Sequence, residues 1–447
     1  MSNSKIDLPS KIKAWQATFK EKVVDNPVLK WYRRGLYAIT FIWAAFLLFQ
    51  SAPYYEASRL GEKAFHAGNY AEAQKQFELA YWECSKFGGD WKADQRSARA
   101  MNNLAEIYRV EGKYKDAEPL YRDAAAAAAA KFAAARPEPA VALGNLAMLQ
   151  REQGKYEEAD ATYTKALKLW EEKIKQNDSP QLASLLNGQA KLRRDQGRYA
   201  EAEKLYLRAL AISEKRLGKQ DVGNAYIVGN LGGLYRDMGK PAQAEDNYKK
   251  ALSLDTAVHG DAHPDTALDF NNLAGLYREQ NRFELAASYY QKALAVRQKS
   301  LGVNHPLTAK TLMGMADLER REKHYAAAEK HFAQALTIQH SVLPPAHPDT
   351  AMTLDTEGVC FLSQGKAKEA ENCFNQALQI RRAILAPDHP DIAISEVNLA
   401  ITRGLLNESD KSAVAPSLEK LALRLGNEHP LYKNEQSLAA LALPKPQ

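Results

Sequence analysis

Phe270-Asn271-Asn272-Leu273-Ala274-Gly275-Leu276-Tyr277-Arg278 decides the fold, because it has a near copy in Met101-Asn102-Asn103-Leu104-Ala105-Glu106-Ile107-Tyr108-Arg109. A turn residue follows each such stretch: Gly68, Gly112, Gly154, Gly197 and Gly239, then Asn281, Lys323 and Gly365, 42 to 44 residues apart. A fixed period in that range marks stacked supersecondary units rather than one globular core. Eight units are visible, and a degenerate ninth begins near Asp391. The 447 residues therefore predict one elongated solenoid whose core is a continuous seam between neighbours.

Within Leu268 to Leu301 the apolar residues follow helical spacing twice, at Leu273, Ala274, Leu276 and Tyr277, and at Ala286, Tyr290, Ala293 and Leu294. The polar run Arg278 to Phe283 between them reads as a short turn, so each unit is an antiparallel helix pair. Small residues such as Ala274 and Ala286 let the helices approach, while Leu273, Tyr277 and Tyr290 fill the space around them. His263-Pro264, His305-Pro306, His347-Pro348 and His389-Pro390 place Pro just inside the start of a first helix, where its missing N–H costs nothing.

Leu-Ala-x-Leu-Tyr, a Gly-Lys-Tyr turn such as Gly112-Lys113-Tyr114, Ala-Glu-x-x-Tyr and a closing Ala-Leu together resemble the tetratricopeptide repeat. The 42-residue period, with Leu301-Gly302 before His305-Pro306, is similar to the kinesin light chain type of that family. The resemblance spans roughly residues 57 to 400 and implies an all-α, right-handed superhelix with the first helices on its concave wall. A charge-free run near the N-terminus and the lack of a heptad coiled coil before the array depart from a motor subunit.

That run extends from Leu36 to Tyr55, 20 residues, of which Leu36 to Phe49 are almost wholly apolar. As a helix it covers about 30 Å, the thickness of a hydrocarbon core. Trp31, Tyr32, Tyr54 and Tyr55 flank it where interfacial rings belong. A signal-peptide core or a buried helix has a similar apolar length. The 34-residue leader and the missing small-x-small site argue against cleavage, and the missing polar face against burial in a soluble fold. A retained anchor is the expectation, giving a basic tail over 1–34, an anchor over 35–55, the array over 56–408 and a degenerate repeat with capping helices over 409–447. Lys30, Arg33 and Arg34 precede the anchor, so positive-inside places the N-terminus in the cytoplasm and the array in a periplasm, lumen or exterior.

The tail holds eight Lys or Arg against Asp7, Glu21 and Asp25, which accounts for +5 of the net +6. It has two open readings, an amphipathic segment on an anionic membrane surface and a solvated basic tail. The array itself is nearly neutral, which excludes the basic stripe that nucleic acid requires. Cys84, Cys360 and Cys373 are odd in number and form no CxxC pair, so they read as buried packing residues. The four linker histidines lie a whole unit apart, whereas helices pack at about 8 to 10 Å and metal-bound nitrogens sit at about 2 Å. No metal and no cofactor are expected.

With Asn272 as zero, Leu273, Ala274 and Tyr277 fall at about 100°, 200° and 140° around the helix, and Arg278 at about 240°. Asn272 and Arg278 thus lie off the buried stripe. Two columns follow from register: Asn103, Asn145, Asn230 and Asn272, interrupted by Gly188, Gly314 and Thr356 and extended by Asn398; and Arg109, Arg151, Arg194, Arg236, Arg278 and Arg320, ending at Leu362. Side-chain amides pair donor and acceptor with an extended backbone, and guanidiniums fork onto carboxylates. The family resemblance implies the same use here, capture of a protein or peptide partner in the groove. A structural alternative stays open: the arginines tie units together by pairing with Glu118, Glu203, Glu245, Glu329 and Glu371, and the asparagines bond a neighbouring backbone. No catalytic fingerprint is present, and neither an enzyme nor a small-molecule substrate is expected. The resulting expectation is a membrane-anchored interaction scaffold or adaptor; the alternative is an accessory or regulatory subunit of a membrane-associated enzyme or secretion or assembly complex.

Overall fold

The computed structural model describes residues 52–440 apart from 66, 68, 87–94, 132–137, 176, 408–411 and 427–428. Among these residues the regular structure is helical, with no strand. The first helices of successive units are α1 (52–65), α3 (Gln95–Val110), α5 (Glu138–Glu152), α7 (Pro180–Asp195), α9 (Ala225–Asp237), α11 (Pro264–Glu279), α13 (Pro306–Arg321), α15 (Pro348–Ser363) and α17 (Pro390–Leu406). The second helices are α2 (Tyr70–Ser85), α4 (Tyr114–Lys131), α6 (Tyr156–Leu169), α8 (Tyr199–Leu217), α10 (Pro241–His259), α12 (Phe283–Ser300), α14 (Tyr325–Val342), α16 (Ala367–Ile384) and α18 (Val414–Leu425). A final helix, α19 (Pro430–Ala439), follows. Val414, Leu418, Leu421 and Leu425 cover Ile394, Val397 and Ile401, so the C-terminal helices shield the exposed end of the core.

Each second helix from α2 to α16 buries two alanines and one ring against its partners. Ala73, Ala117, Ala159, Ala202, Ala244, Ala286, Ala328 and Ala370 have no exposed surface, and Phe77, Tyr121, Tyr163, Tyr206, Tyr248, Tyr290, Phe332 and Phe374 are all buried. At two interruptions of the asparagine column a ring fills the space beside the glycine: a Cβ on Gly188 would meet the Tyr163 hydroxyl at 2.6 Å, and one on Gly314 the Tyr290 ring at 2.7 Å.

The linker histidines act as helix caps. Nδ1 of His263, His305, His347 and His389 accepts from the backbone N–H two residues on, at 3.2, 3.0, 3.1 and 3.1 Å. An imidazole nitrogen here does the work usually given to Ser or Asp, with Pro at the next position.

The same linkers close the superhelix on itself. His347 Nε2 lies 2.8 Å from the Val110 carbonyl, 237 residues away, which places a donating N–H against the last turn of α3. One unit further on, Ala386 N–H donates to the Gln153 carbonyl at 2.9 Å, and the His389 ring lies against Tyr156. Gly154 has φ +80°, and a Cβ there would meet the His389 ring at 2.6 Å. Tyr70 against His305 and Tyr199 against His429 repeat the contact on either side. Linkers of later units therefore seat on the intra-unit turns of earlier ones, forming a seam between consecutive superhelical turns.

The Leu36–Phe49 run lies outside the described residues, and no helix among those described is long and apolar enough to cross a membrane. Tyr54 is corrected by the structure. It is 1% exposed and packs with Ala57, Ala80, Cys84 and Ala100, so its ring belongs to the core of the first unit and not to a membrane interface. Tyr55 is more than half exposed. All three cysteines are buried free thiols, and burial pushes Cys373 up to about 12.

Burial pushes the His305 imidazole down to about 4, with Arg297 adding to the effect, and burial likewise lowers His389 and His429. An opened chain takes up these protons near 6.5. The seam's contribution is therefore complete above pH 6.5 and is lost progressively as the pH falls towards about 4. Small-angle scattering should show a constant radius of gyration above that window and an increase within it; unchanged dimensions down to its lower end would refute the role of these histidines.

Candidate functional site: the groove of the first helices

Consecutive first helices touch one another along the array, which puts them on the inside of the curve. Across α7, α9 and α11 the groove holds a cavity of about 520 Å³ lined by Lys191, Arg194, Tyr226, Asn230, Arg236 and Asn272, among others. Tyr226 is 56% exposed and Leu268 43%, so apolar surface faces the opening. Lys191 Nζ donates to the Tyr226 hydroxyl at 3.2 Å. Burial opposes the phenolate, but Lys191 and then Asn230 hold the Tyr226 hydroxyl below its usual range.

The asparagine column divides in two. Asn145 Nδ2 donates to Asn102 Oδ1 at 2.8 Å and Asn230 Nδ2 to Asn187 Oδ1 at 3.0 Å, so these two spend their donors on the preceding unit. Position 229, where Asn272 would find the equivalent partner, is a glycine. Asn272 lines the cavity half-buried with no side-chain hydrogen bond among the described residues, and Asn103 stands likewise half-buried at the other end of the column.

The arginines form a ladder. Arg109 reaches Glu106 at 2.6 Å and Glu152 at 2.8 Å, Arg151 reaches Asp195 at 2.5 Å, and Arg194 reaches Asp237 at 2.6 Å. Each partner from the next unit directly follows that unit's own arginine. The second-helix glutamates are engaged elsewhere: Glu118 by Arg122 and Lys155, Glu203 by the Tyr235 hydroxyl, Glu245 by Lys249 and Arg282, Glu329 by Lys366 and Glu371 by Arg403. The structural alternative thus holds in kind, with first-helix acids as partners. Burial works against charge, yet the paired carboxylates keep Arg109, Arg151 and Arg194 above their ordinary pKa.

Two rungs differ. Arg321 occupies the acid's position, and Asp317, one turn earlier, takes its place, holding Arg278 at 3.0 Å, Arg320 at 2.8 Å and Arg321 at 3.6 Å. Burial opposes ionisation there, but the three guanidiniums pull the Asp317 carboxyl down to about 2. Arg236 is the loosest rung: Asp237 lies at 3.6 Å and Glu279 at 3.8 Å, and its side chain is 32% exposed, the most in the column.

At the far end of the same cavity lie Asp255, His259, Asp265 and Asp269. The His259 and His263 rings stack with centroids 4.3 Å apart. Asp255 and Asp269 are both buried, and burial, then their mutual contact, pushes the Asp269 carboxyl well up. Sequence reasoning compared histidines across units and missed His259, one helical turn before His263. It also passed over Lys191 and Tyr226, whose positions carry no periodic signal in the sequence.

The tetratricopeptide repeat family matches residues 96–172, 181–257, 221–299, 270–341, 307–383 and 349–413. This chain belongs to the tetratricopeptide repeat family. Among solved structures, a Rap protein complexed with Competence and Sporulation Factor aligns at TM-score 0.56 and 12% identity, covering 87% of this chain and 99% of that one. BtubC (BKLC) from P. vanneervenii aligns at TM-score 0.38 and 24% identity over 55% of this chain and 91% of its own. A putative kinesin light chain of Podosopora anserina aligns at TM-score 0.36 and 18% identity over 44% and 94%. No curated protein sequence matches.

Removing the shared acid of the ladder leaves three guanidiniums facing one another. Asp317→Ala should cost about 3 kcal/mol and Arg236→Ala about 0.5 kcal/mol or less, read as the fall in denaturation midpoint. Equal effects would refute the ranking of the rungs.

Proposed function

We propose that this chain is an interaction scaffold that takes an extended segment of a partner protein into the groove of α7, α9 and α11, and that the apolar run ahead of α1, from Leu36, holds it at a membrane with the array on the extracytoplasmic side. The observation that carries the groove assignment is the side-chain inventory of the cavity. Asn272 offers an amide donor and acceptor not spent internally, Arg236 a guanidinium with only distant carboxylates, and Tyr226 and Leu268 an apolar floor. An amide that bonds both N–H and C=O of an extended backbone binds without regard to sequence, while a guanidinium adds preference for an acidic side chain or a C-terminal carboxylate. The Rap structure of similar fold holds Competence and Sporulation Factor, which supports a binding role for such an array. The almost wholly apolar stretch Leu36 to Phe49 and the lysines and arginines before it support the membrane assignment.

Five of the six candidate arginines, Arg109, Arg151, Arg194, Arg278 and Arg320, serve the ladder first. Arg236 and Asn272 are the groove residues whose change should be felt by a partner rather than by the fold. The double variant Arg236→Ala/Asn272→Ala should lose partners captured by in-membrane crosslinking while its circular dichroism stays that of the parent. Retention of the same crosslinked partners at the same yield would refute the groove. A reporter fused after Gln447 should be active only as an extracytoplasmic enzyme; activity of a cytoplasm-restricted reporter would reverse the topology.

A further inference from the structure

One linker departs from all the others at several positions, and the departures converge. Residues 255, 297, 339 and 381 occupy one register position, and each faces the residue 14 further along. Arg297 donates to Thr311 Oγ1 at 2.7 Å, Gln339 to Thr353 Oγ1 at 2.9 Å, and Arg381 to Ser395 Oγ at 2.6 Å. In the unit before these three the pair is Asp255 and Asp269, two buried carboxylates where the three place a donor against an acceptor. Asp269 is 4% exposed, and its Oδ2 has no hydrogen-bond partner. Four residues beyond Asp255, the register holds Leu217, Leu301, Leu343 and Leu385 in other units but His259 here.

We infer that His259, His263 and Asp265 bind a divalent transition-metal ion of the Zn²⁺ class at the end of the groove, beside the buried pair Asp255 and Asp269. The ligand atoms of the three residues lie within 4.8 Å of one another. His263 Nδ1 and Asp265 Oδ2 are 3.4 Å apart, close to the separation of about 3.3 Å that two atoms bound at 2.0–2.1 Å have on one tetrahedral ion. His259 and Asp265 are exposed and free to turn inward. Two imidazoles and a carboxylate form a borderline donor set, suited to zinc rather than to the all-oxygen cages of Ca²⁺ or Mg²⁺. Binding displaces the cap hydrogen bond to His263 Nδ1, which at 3.2 Å is the longest of the four His-Pro caps quoted above. Three protein ligands leave a fourth position open towards the groove, and this assignment does not depend on which partner the groove takes.

The test uses the full chain after dialysis against a chelator. Titration with Zn²⁺ should saturate at one equivalent, and Co²⁺ in its place should give the visible absorption of a tetrahedral centre. His259→Leu and Asp265→Leu install residues that other units carry at those positions, Leu301 and Leu307 among them, so both variants should keep the parent circular dichroism. Each should weaken Zn²⁺ binding by roughly tenfold or more, since loss of an outer-sphere partner alone typically costs that much. Absence of saturable Zn²⁺ binding, unchanged affinity in both variants, or preferential saturation by Ca²⁺ or Mg²⁺ would each overturn the assignment.

Discussion

The structure depends on the close approach of a ring on each second helix from α2 to α16, with fully buried alanines on either side of it, to the first helices of its own and the next unit. Tyr248 at Gly232 and Phe374 at Gly358 within a unit, and Tyr290 at Gly314 between units, leave no room for a Cβ on the glycine. Such contact fixes the distance and angle between helices within narrow limits. A larger residue at the crossing would change the rotation from one unit to the next, and that rotation accumulates along the array. The return contact between His347 and Val110, 237 residues apart, exists only because the accumulated rotation brings a linker back over an earlier turn.

The units, their two helices, the His-Pro starts and the alanine and ring columns were legible because each is local: a period, an apolar stripe and a cap lie within a few turns of helix. The seam between superhelical turns was not legible, since no pattern in the sequence encodes a small rotation summed over several units. Tyr54 shows the same limit on a smaller scale. Its place beside an apolar run reads as an interfacial ring, and only the packing of Ala57, Ala80 and Cys84 around it makes it a core residue.

The arginine ladder lies between these cases. Its partners were present in the sequence as the acid directly after successive arginines, Glu152 after Arg151, Asp195 after Arg194, Asp237 after Arg236 and Glu279 after Arg278. A residue pointing along the groove meets its counterpart in the next first helix sooner than the second helix behind it. The acids that matter are thus those that share its face. Charges paired along the wall also explain why a solenoid with many groove arginines stays nearly neutral. The ladder holds the wall together and leaves little net field for a nucleic acid to follow.

A repeat protein supplies its own control, because every position has been filled several times under almost the same packing. A residue matching its counterparts in the other units is accounted for by the fold, as with Arg194 in the ladder or His305 at a helix start. A residue that departs from them has lost that explanation. Arg321 is such a departure, and Asp317 compensates for it one turn away. Asp269 is another: its Oδ2 is buried without a hydrogen-bond partner, Asp255 faces it, and burial pushes its carboxyl well up. A buried carboxyl stays neutral by holding its proton unless a cation answers it. The histidine that replaces leucine at position 259 lies beside this pair in the same cavity. The departures at this one linker thus have no counterpart in the packing of the other units, and it is there that a role beyond the fold is to be sought.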